Sequence, residues 1–444
     1  MVSSNRDQFT SKIGFILAAA GSAIGLGAIW KFPYTVGTNG GSVFILLFIL
    51  CTLLIGLPIL MSEFLIGRRS QADAVSAFKK EAPGKPWFLA GWLGVIVSAL
   101  ILSFYGVVGG WILSYLFRAV TFQLNGGSEE HYGELFSSLI ANPWEVIFAQ
   151  AMFMFITIFI VQSGIKGGIE RAGKWMMPAL FIFFILLAIR SLTLDGAMEG
   201  VKFMFVPDWS YLNMETLLNA LGLAFFSLSV GVGAMITYAS YLPKTETITS
   251  SAFNVAWMNI AISILAGLVI FPAVFALGYS PAQGPGLVFI ILPAVFEQIP
   301  MGSVLIIIFF ILLLFATLTS SISLLEITVS VFVKDNYEKR RSRAWIVGLV
   351  IFLAGIPSAL SFGVWSNIFI MDKSIFDFID YITANVGMPI GALAFSLFVA
   401  YYYKTNVTKA ELNLPNAGYW LWRTIVCVIA PIAIITISLY NLFA

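Results

Sequence analysis

The chain is poor in the residues on which most soluble chemistry depends. It holds one histidine, His131, and two cysteines, Cys51 and Cys427, among 444 residues. One histidine excludes histidine-based acid–base chemistry in the membrane. Two cysteines inside apolar runs suit neither a disulfide framework nor a Cys/His metal site; they read as small buried hydrophobes. Charge is scarce too. Asp, Glu, Lys and Arg make up 10% of the chain, against about 25% in an ordinary soluble domain. No nucleic-acid partner is expected, and no catalytic constellation for a membrane enzyme is in view.

What is present is apolar. Hydrophobic residues are 59% of the chain and the mean hydropathy is +0.95. A soluble core does not grow fast enough to hide that much surface, so the lipid bilayer is the expected surroundings and the cell membrane the expected location. A spanning helix needs roughly 20 mostly apolar residues. Eleven runs qualify, near residues 13–36, 41–68, 88–120, 145–162, 167–190, 215–239, 248–278, 304–334, 344–358, 375–402 and 419–443. The expected fold is an all-α integral membrane protein.

The few cations orient it. With the N-terminus cytoplasmic, eighteen of the 24 Lys and Arg residues fall on the inner side, in clusters such as Arg68, Arg69, Lys79, Lys80 and Lys339, Arg340, Arg341, Arg343. Five fall outside: Lys31, Arg118, Arg190, Lys202 and Lys373. The positive-inside rule then puts the C-terminus on the extracellular side. Of two longer outer connections, Gly126–Asn142 reads as a solvated polar loop. Pro281–Gly302 holds an apolar run too short to span, which suggests a re-entrant or lid-like helix.

The first and sixth runs share an unusual segment. One reads Ser22-Ala-Ile-Gly-Leu-Gly-Ala-Ile29 and the other Leu228-Ser-Val-Gly-Val-Gly-Ala-Met235. They lie five spans apart, so the second copy runs through the membrane in the opposite sense. Each Gly costs about 1 kcal/mol of helix propensity relative to Ala, so two in one turn favour unwinding. Unwound backbone is tolerated at membrane depth only where it lines a protected cavity. Inverted repeats with broken helices at matching places are the pattern of a secondary transporter.

These residues resemble the neurotransmitter:sodium symporter family. The likeness rests on Gly21-Ser-Ala-Ile-Gly-Leu-Gly-Ala-Ile-Trp-Lys-Phe-Pro33, on Asn39-Gly40-Gly41, on Glu63 with Gly67-Arg68, on Phe225-Phe226-Ser227-Leu228-Ser229, on Ile236-Thr-Tyr-Ala-Ser-Tyr241 and on Leu318-Thr319-Ser320-Ser321. It implies a LeuT-like fold: a cytoplasmic segment 1–12, inverted five-helix repeats at 13–190 and 215–402, unwound helices 1 and 6, and an eleventh helix at 419–444. It also implies sodium-coupled import of hydrophobic and aromatic L-amino acids by alternating access, as in bacterial members.

Carried over position by position, the resemblance implies two sodium sites. One would use carbonyls of Gly21, Ile24 and Ala316 with hydroxyls of Thr319 and Ser320. The other would use the carbonyl of Ala23, both oxygens of Ser227 and the amide of Asn259. Ala28 stands where the family usually has an Asn ligand. The substrate carboxylate would meet Tyr105 and the amides near Leu26 and Gly27, and the amino group the carbonyls of Ala23, Phe226 and Ser229. The side chain would sit among Ile101, Phe226, Ser229, Val232, Ser321 and Leu324. Val232 replaces a Phe of some relatives, which leaves room for large side chains. An outer gate would pair Lys31 with Asp380; an inner one would use Arg6, Phe9, Tyr241 and Asp335. Ser263 resembles a chloride ligand, but Phe48 and Leu223 replace its companions, so no chloride dependence is expected. Two alternatives stay open: a proton-coupled carrier using Glu63 or Glu326, and a receptor that binds amino acids without moving them.

Overall fold

The computed structural model describes residues 7–124, 126–281, 286–334 and 336–443. Arg6 and Asp335 lie outside the described residues. The chain is almost wholly helical; a two-residue hairpin, β1 (Phe369–Ile370) against β2 (Lys373–Ser374), is the one sheet among the described residues.

The helices follow the apolar runs. An interrupted pair, α1 (Lys12–Ala23) and α2 (Gly27–Thr38), is bent by 53°. Then come α3 (Ser42–Ser70), the short α4 (Ala74–Glu81), α5 (Phe88–Val120), α6 (Glu129–Ala141), α7 (Pro143–Gln162) and α8 (Ile165–Leu192). After α9 (Ala197–Phe205) a second interrupted pair follows, α10 (Met214–Ser227) and α11 (Ala234–Ala239). The rest are α12 (Ile248–Ala276), α13 (Leu287–Glu297), α14 (Gly302–Val333), α15 (Tyr337–Leu360), α16 (Ile375–Tyr402), α17 (Thr405–Leu412) and α18 (Asn416–Tyr440). Among the described residues, nine helices are long and apolar enough to cross a membrane, and the bent pair makes ten. The α10–α11 pair, cut into pieces of 14 and 6 residues, is too short to count by length, and taking it as one interrupted crossing agrees with the eleven expected.

One expectation fails. The stretch after Gly126 is not a plain loop, because Glu129–Ala141 forms α6. Ser128 caps it by accepting from the N–H of His131 at 3.3 Å, and Glu129 and Glu130 in the first turn favour the positive end of the helix dipole. Its inward face buries Tyr132 and Leu139. The apolar run beyond Pro281 becomes α13, as anticipated. Phe289 of α13 stacks on Phe136 of α6 at 5.1 Å and meets Trp30 and Trp111 edge-on at 6.0 Å. The two short helices thus cover one end of the bundle together.

Candidate functional site

The glycine runs do break their helices. Ile24 leaves helical geometry (φ −88°, ψ 78°), which ends α1. The N–H of Leu26, left without a partner in the helix, donates to the hydroxyl of Tyr105 at 2.9 Å. Gly25 must be bare, since a Cβ there would lie 2.5 Å from that hydroxyl. In the second break, Ser229, Gly231 and Gly233 all take positive φ (52°, 87° and 78°). For Ser229 this region is costly, and its side chain compensates by donating to the carbonyl of Ser22 at 2.9 Å. That bond ties one break to the other. Gly231 donates its N–H to the Glu63 carboxylate at 2.7 Å, and a Cβ on it would sit 2.8 Å from the backbone N of Ala392.

Between the breaks, neutral oxygens converge. The Asn259 amide of α12 donates to the carbonyl of Ala23 at 3.2 Å and to that of Ser227 at 3.0 Å. Its oxygen accepts from the Ser227 hydroxyl at 3.2 Å. All four expected groups of one site therefore meet, and all are buried. Turning the amide over would direct its oxygen at the same two carbonyls. Such a cluster of uncharged oxygens suits a hard cation. Among the described residues no group of three or more His, Cys, Asp or Glu side chains is gathered as a metal site, so a cation held here is held by neutral dipoles.

The other expected cluster is less uniform. Ser320 on α14 reaches across to the carbonyls of Gly21 at 3.1 Å and Ser22 at 3.2 Å. Thr319 packs against Gly21, but its hydroxyl bonds within its own turn, to Phe315 and Ala316, both at 3.0 Å. That is the usual habit of a helical Thr. The Gly21 carbonyl thus accepts across the α1–α14 contact, the Ala316 carbonyl accepts within α14, and Ile24 lies at the break itself.

Beside the oxygens is a small cavity of about 30 Å³. Its walls include Ala23, Leu26, Gly27, Ile101, Tyr105, Phe226, Ser229, Val232 and Leu324, as the resemblance implied. Ser321 is the exception. It is fully buried, its hydroxyl donates to Thr317 at 2.6 Å, and it does not line the cavity. One residue on a helix is a turn of about 100°, so Ser320 faces in and Ser321 faces away. Ser22, Gly25 and Met388 also line the cavity. Ser22 and Gly25 sit in the first glycine run and were within reach of the sequence; nothing local distinguishes Met388.

The two ends are closed differently. On one side Lys31 lies 3.9 Å from Asp380, with both side chains about one-third exposed, and its ammonium sits 4.6 Å above the Phe226 ring. Above them opens a vestibule of about 360 Å³. On the other side the Phe9 N–H donates to the carbonyl of Tyr241 at 3.2 Å, and its ring packs edge-on against Phe15, Tyr238 and Tyr241. The Tyr241 hydroxyl donates to Glu326 at 2.6 Å, and Glu326 forms an ion pair with Arg340 inside the protein. Arg340 also donates to the carbonyl of Val161 at 2.9 and 3.1 Å. This pair escaped the sequence reading, which placed Arg340 with the loop cations. The signal was Glu326 itself, since a carboxylate within a span demands a partner. The N-terminal segment is pinned beside it: the N–H of Thr10 donates to Glu170 at 2.8 Å, and Lys174 pairs with Glu170 at 2.7 Å.

Known proteins share this architecture. Residues 6–134 and 128–444 match the Sodium:neurotransmitter symporter family. The chain is 51% identical over 436 residues to the uncharacterized sodium-dependent transporter YhdH of Bacillus subtilis, covering 97% of both. It is 26% identical to the sodium-dependent serotonin transporter of Drosophila melanogaster, over 98% of this chain and 76% of that one. The crystal structure of MhsT in complex with L-phenylalanine aligns with a TM-score of 0.92 at 48% identity, over 98% of this chain and 100% of that one. Two broken helices around buried neutral oxygens, and likenesses that run the length of the chain, lead to one conclusion: the chain belongs to the sodium:neurotransmitter symporter family, and is a sodium-dependent membrane transporter of LeuT-like fold, not an enzyme.

Proposed function

We propose that the chain imports hydrophobic and aromatic L-amino acids, driven by inward movement of sodium bound at two sites, without chloride. The observation that carries this reading is the meeting of Ala23, Ser227 and Asn259 at the edge of an apolar cavity capped by the Tyr105 hydroxyl. A substrate carboxylate beside that hydroxyl would lie next to the cation. Sodium and substrate would then raise each other's affinity by the same factor. The apolar walls and the small Val232 suit a large side chain, and the phenylalanine bound to MhsT supports the same class here.

In this reading a bundle of the first, second, sixth and seventh spans, drawn from both repeats 13–190 and 215–402, moves against the remaining scaffold around the midplane site, with the N-terminus cytoplasmic and the C-terminus extracellular. The gates are Lys31–Asp380 outside and the Phe9–Tyr241 contact inside. Inward sodium movement supplies about 2.3 kcal/mol per charge per 100 mV. Proton coupling is the weaker reading, because both carboxylates it could use have structural partners: Glu63 holds the N–H of Gly231 and Glu326 holds Arg340.

Reconstitution in proteoliposomes tests it. Labelled phenylalanine should accumulate above equilibrium when sodium is higher on the cytoplasm-opposed face, and should not under a proton gradient in sodium-free medium. Accumulation driven by protons alone would replace the reading with the proton-coupled one. Sodium-dependent binding with no accumulation would make the chain a receptor.

A further inference from the structure

The central cavity and the vestibule are separate spaces of very different size, about 30 Å³ and about 360 Å³. Two residues line both, Phe226 and Met388. Phe226 belongs to the broken sixth helix and lies under the Lys31 ammonium. Met388 comes from α16, opposite. It is 3% exposed and sits on a backbone packed closely against the break: a Cβ on Gly231 would press on the Met388 carbonyl, and one on Gly391 would press on the carbonyl of Gly231. The α16 backbone and the unwound segment are therefore in direct contact, and the Phe226 and Met388 side chains lie between the two cavities.

A space of about 30 Å³ is far below the roughly 300–1,000 Å³ of ligand pockets, so an amino acid with a large side chain enters only if the wall gives way. The wall's other apolar members adjust poorly. Val232 is β-branched and lies between two positive-φ glycines; Ile101 is β-branched too, and it and Leu324 are buried on the long helices α5 and α14. Branching at Cβ leaves a side chain stiff at χ1. Met388 has three rotatable bonds and a polarizable thioether, the properties of a core residue that fits irregular space. We infer that Met388 is a specificity-determining residue, the adjustable half of the partition whose side chain sets how large a substrate side chain the central site accepts. This rests on the proposed amino acid transport.

The test is competition binding on the purified full-length protein in sodium, with labelled leucine displaced by alanine, leucine, phenylalanine and tryptophan. Met388→Ala should raise the preference for tryptophan over leucine by about tenfold or more, the scale on which a few methylenes in an apolar pocket discriminate. Met388→Phe should lower it, and Met388→Leu, close in volume, should leave it near wild type. If the alanine variant does not fold, the ordered shift between the leucine and phenylalanine variants carries the test. An unchanged ratio across folded variants, with wild type still binding, overturns the role of Met388 alone. Wild type binding none of the four in sodium overturns the transport reading, and this inference with it.

Discussion

Replacing Tyr105 with Phe removes one oxygen from the central site and leaves the ring, 4% exposed, in place. The hydroxyl accepts the Leu26 N–H at 2.9 Å, and two effects of different origin follow. Without substrate, the Leu26 N–H loses its acceptor inside the protein, a cost of about 1–3 kcal/mol, which should appear as lower stability. With substrate, the lost bond is the one the hydroxyl would donate to a carboxylate. Hydrogen bonds to charged groups are worth about 1.5–3 kcal/mol, so the affinity for phenylalanine should fall roughly ten- to a hundredfold. The assay is equilibrium binding of phenylalanine and of its neutral carboxamide to wild type and variant in saturating sodium. The carboxamide lacks the charge, so the variant should cost it less, and the two ligands should differ by about 1 kcal/mol or more, the scale separating charged from neutral hydrogen bonds. Equal losses for both ligands would show that the carboxylate does not lie against Tyr105.

Three further outcomes are expected. Glu326→Gln leaves the Arg340 charge buried without its counter-ion and should destabilise by about 3–5 kcal/mol; replacing both with apolar residues of similar volume should recover most of the thermal stability, and failure to recover would mean the pair does more than neutralise itself. Val232→Phe should reduce tryptophan uptake more than leucine uptake, and unchanged tryptophan transport would remove Val232 from the pocket wall. Exchanging chloride for gluconate at fixed sodium should leave uptake unaltered, since the Ser263 hydroxyl bonds its own helix at the carbonyl of Asn259, 2.9 Å away; a large loss would establish an anion requirement.

The helices and their two breaks were legible because their causes are local. Long apolar runs bounded by charge and Pro report spans, and paired glycines beside Ser report weak helix. The meeting of Ala23, Ser227 and Asn259 was reachable only through the family likeness, because it joins three chain segments that no local rule connects. The resemblance implies Ser321 in the pocket, and the local sequence offers no check, because it does not report helix rotation to one residue. The Gly126–Asn142 stretch reads as loop because its polarity hides a capped helix with one buried face.

The sequence by itself determined the solvent, the helical class, the apolar runs and the positions where the first and sixth of those runs come apart. All of these follow from composition and backbone propensity within a few turns of chain. Only the tertiary structure decided which hydroxyl of the Ser320–Ser321 pair faces the site, that Glu326 pairs with Arg340, and that Phe226 and Met388 line both the vestibule and the central cavity. Each depends on how one packed helix is turned against another. That is set by complementary shapes brought together from distant parts of the chain, and it leaves no mark in the residues nearby.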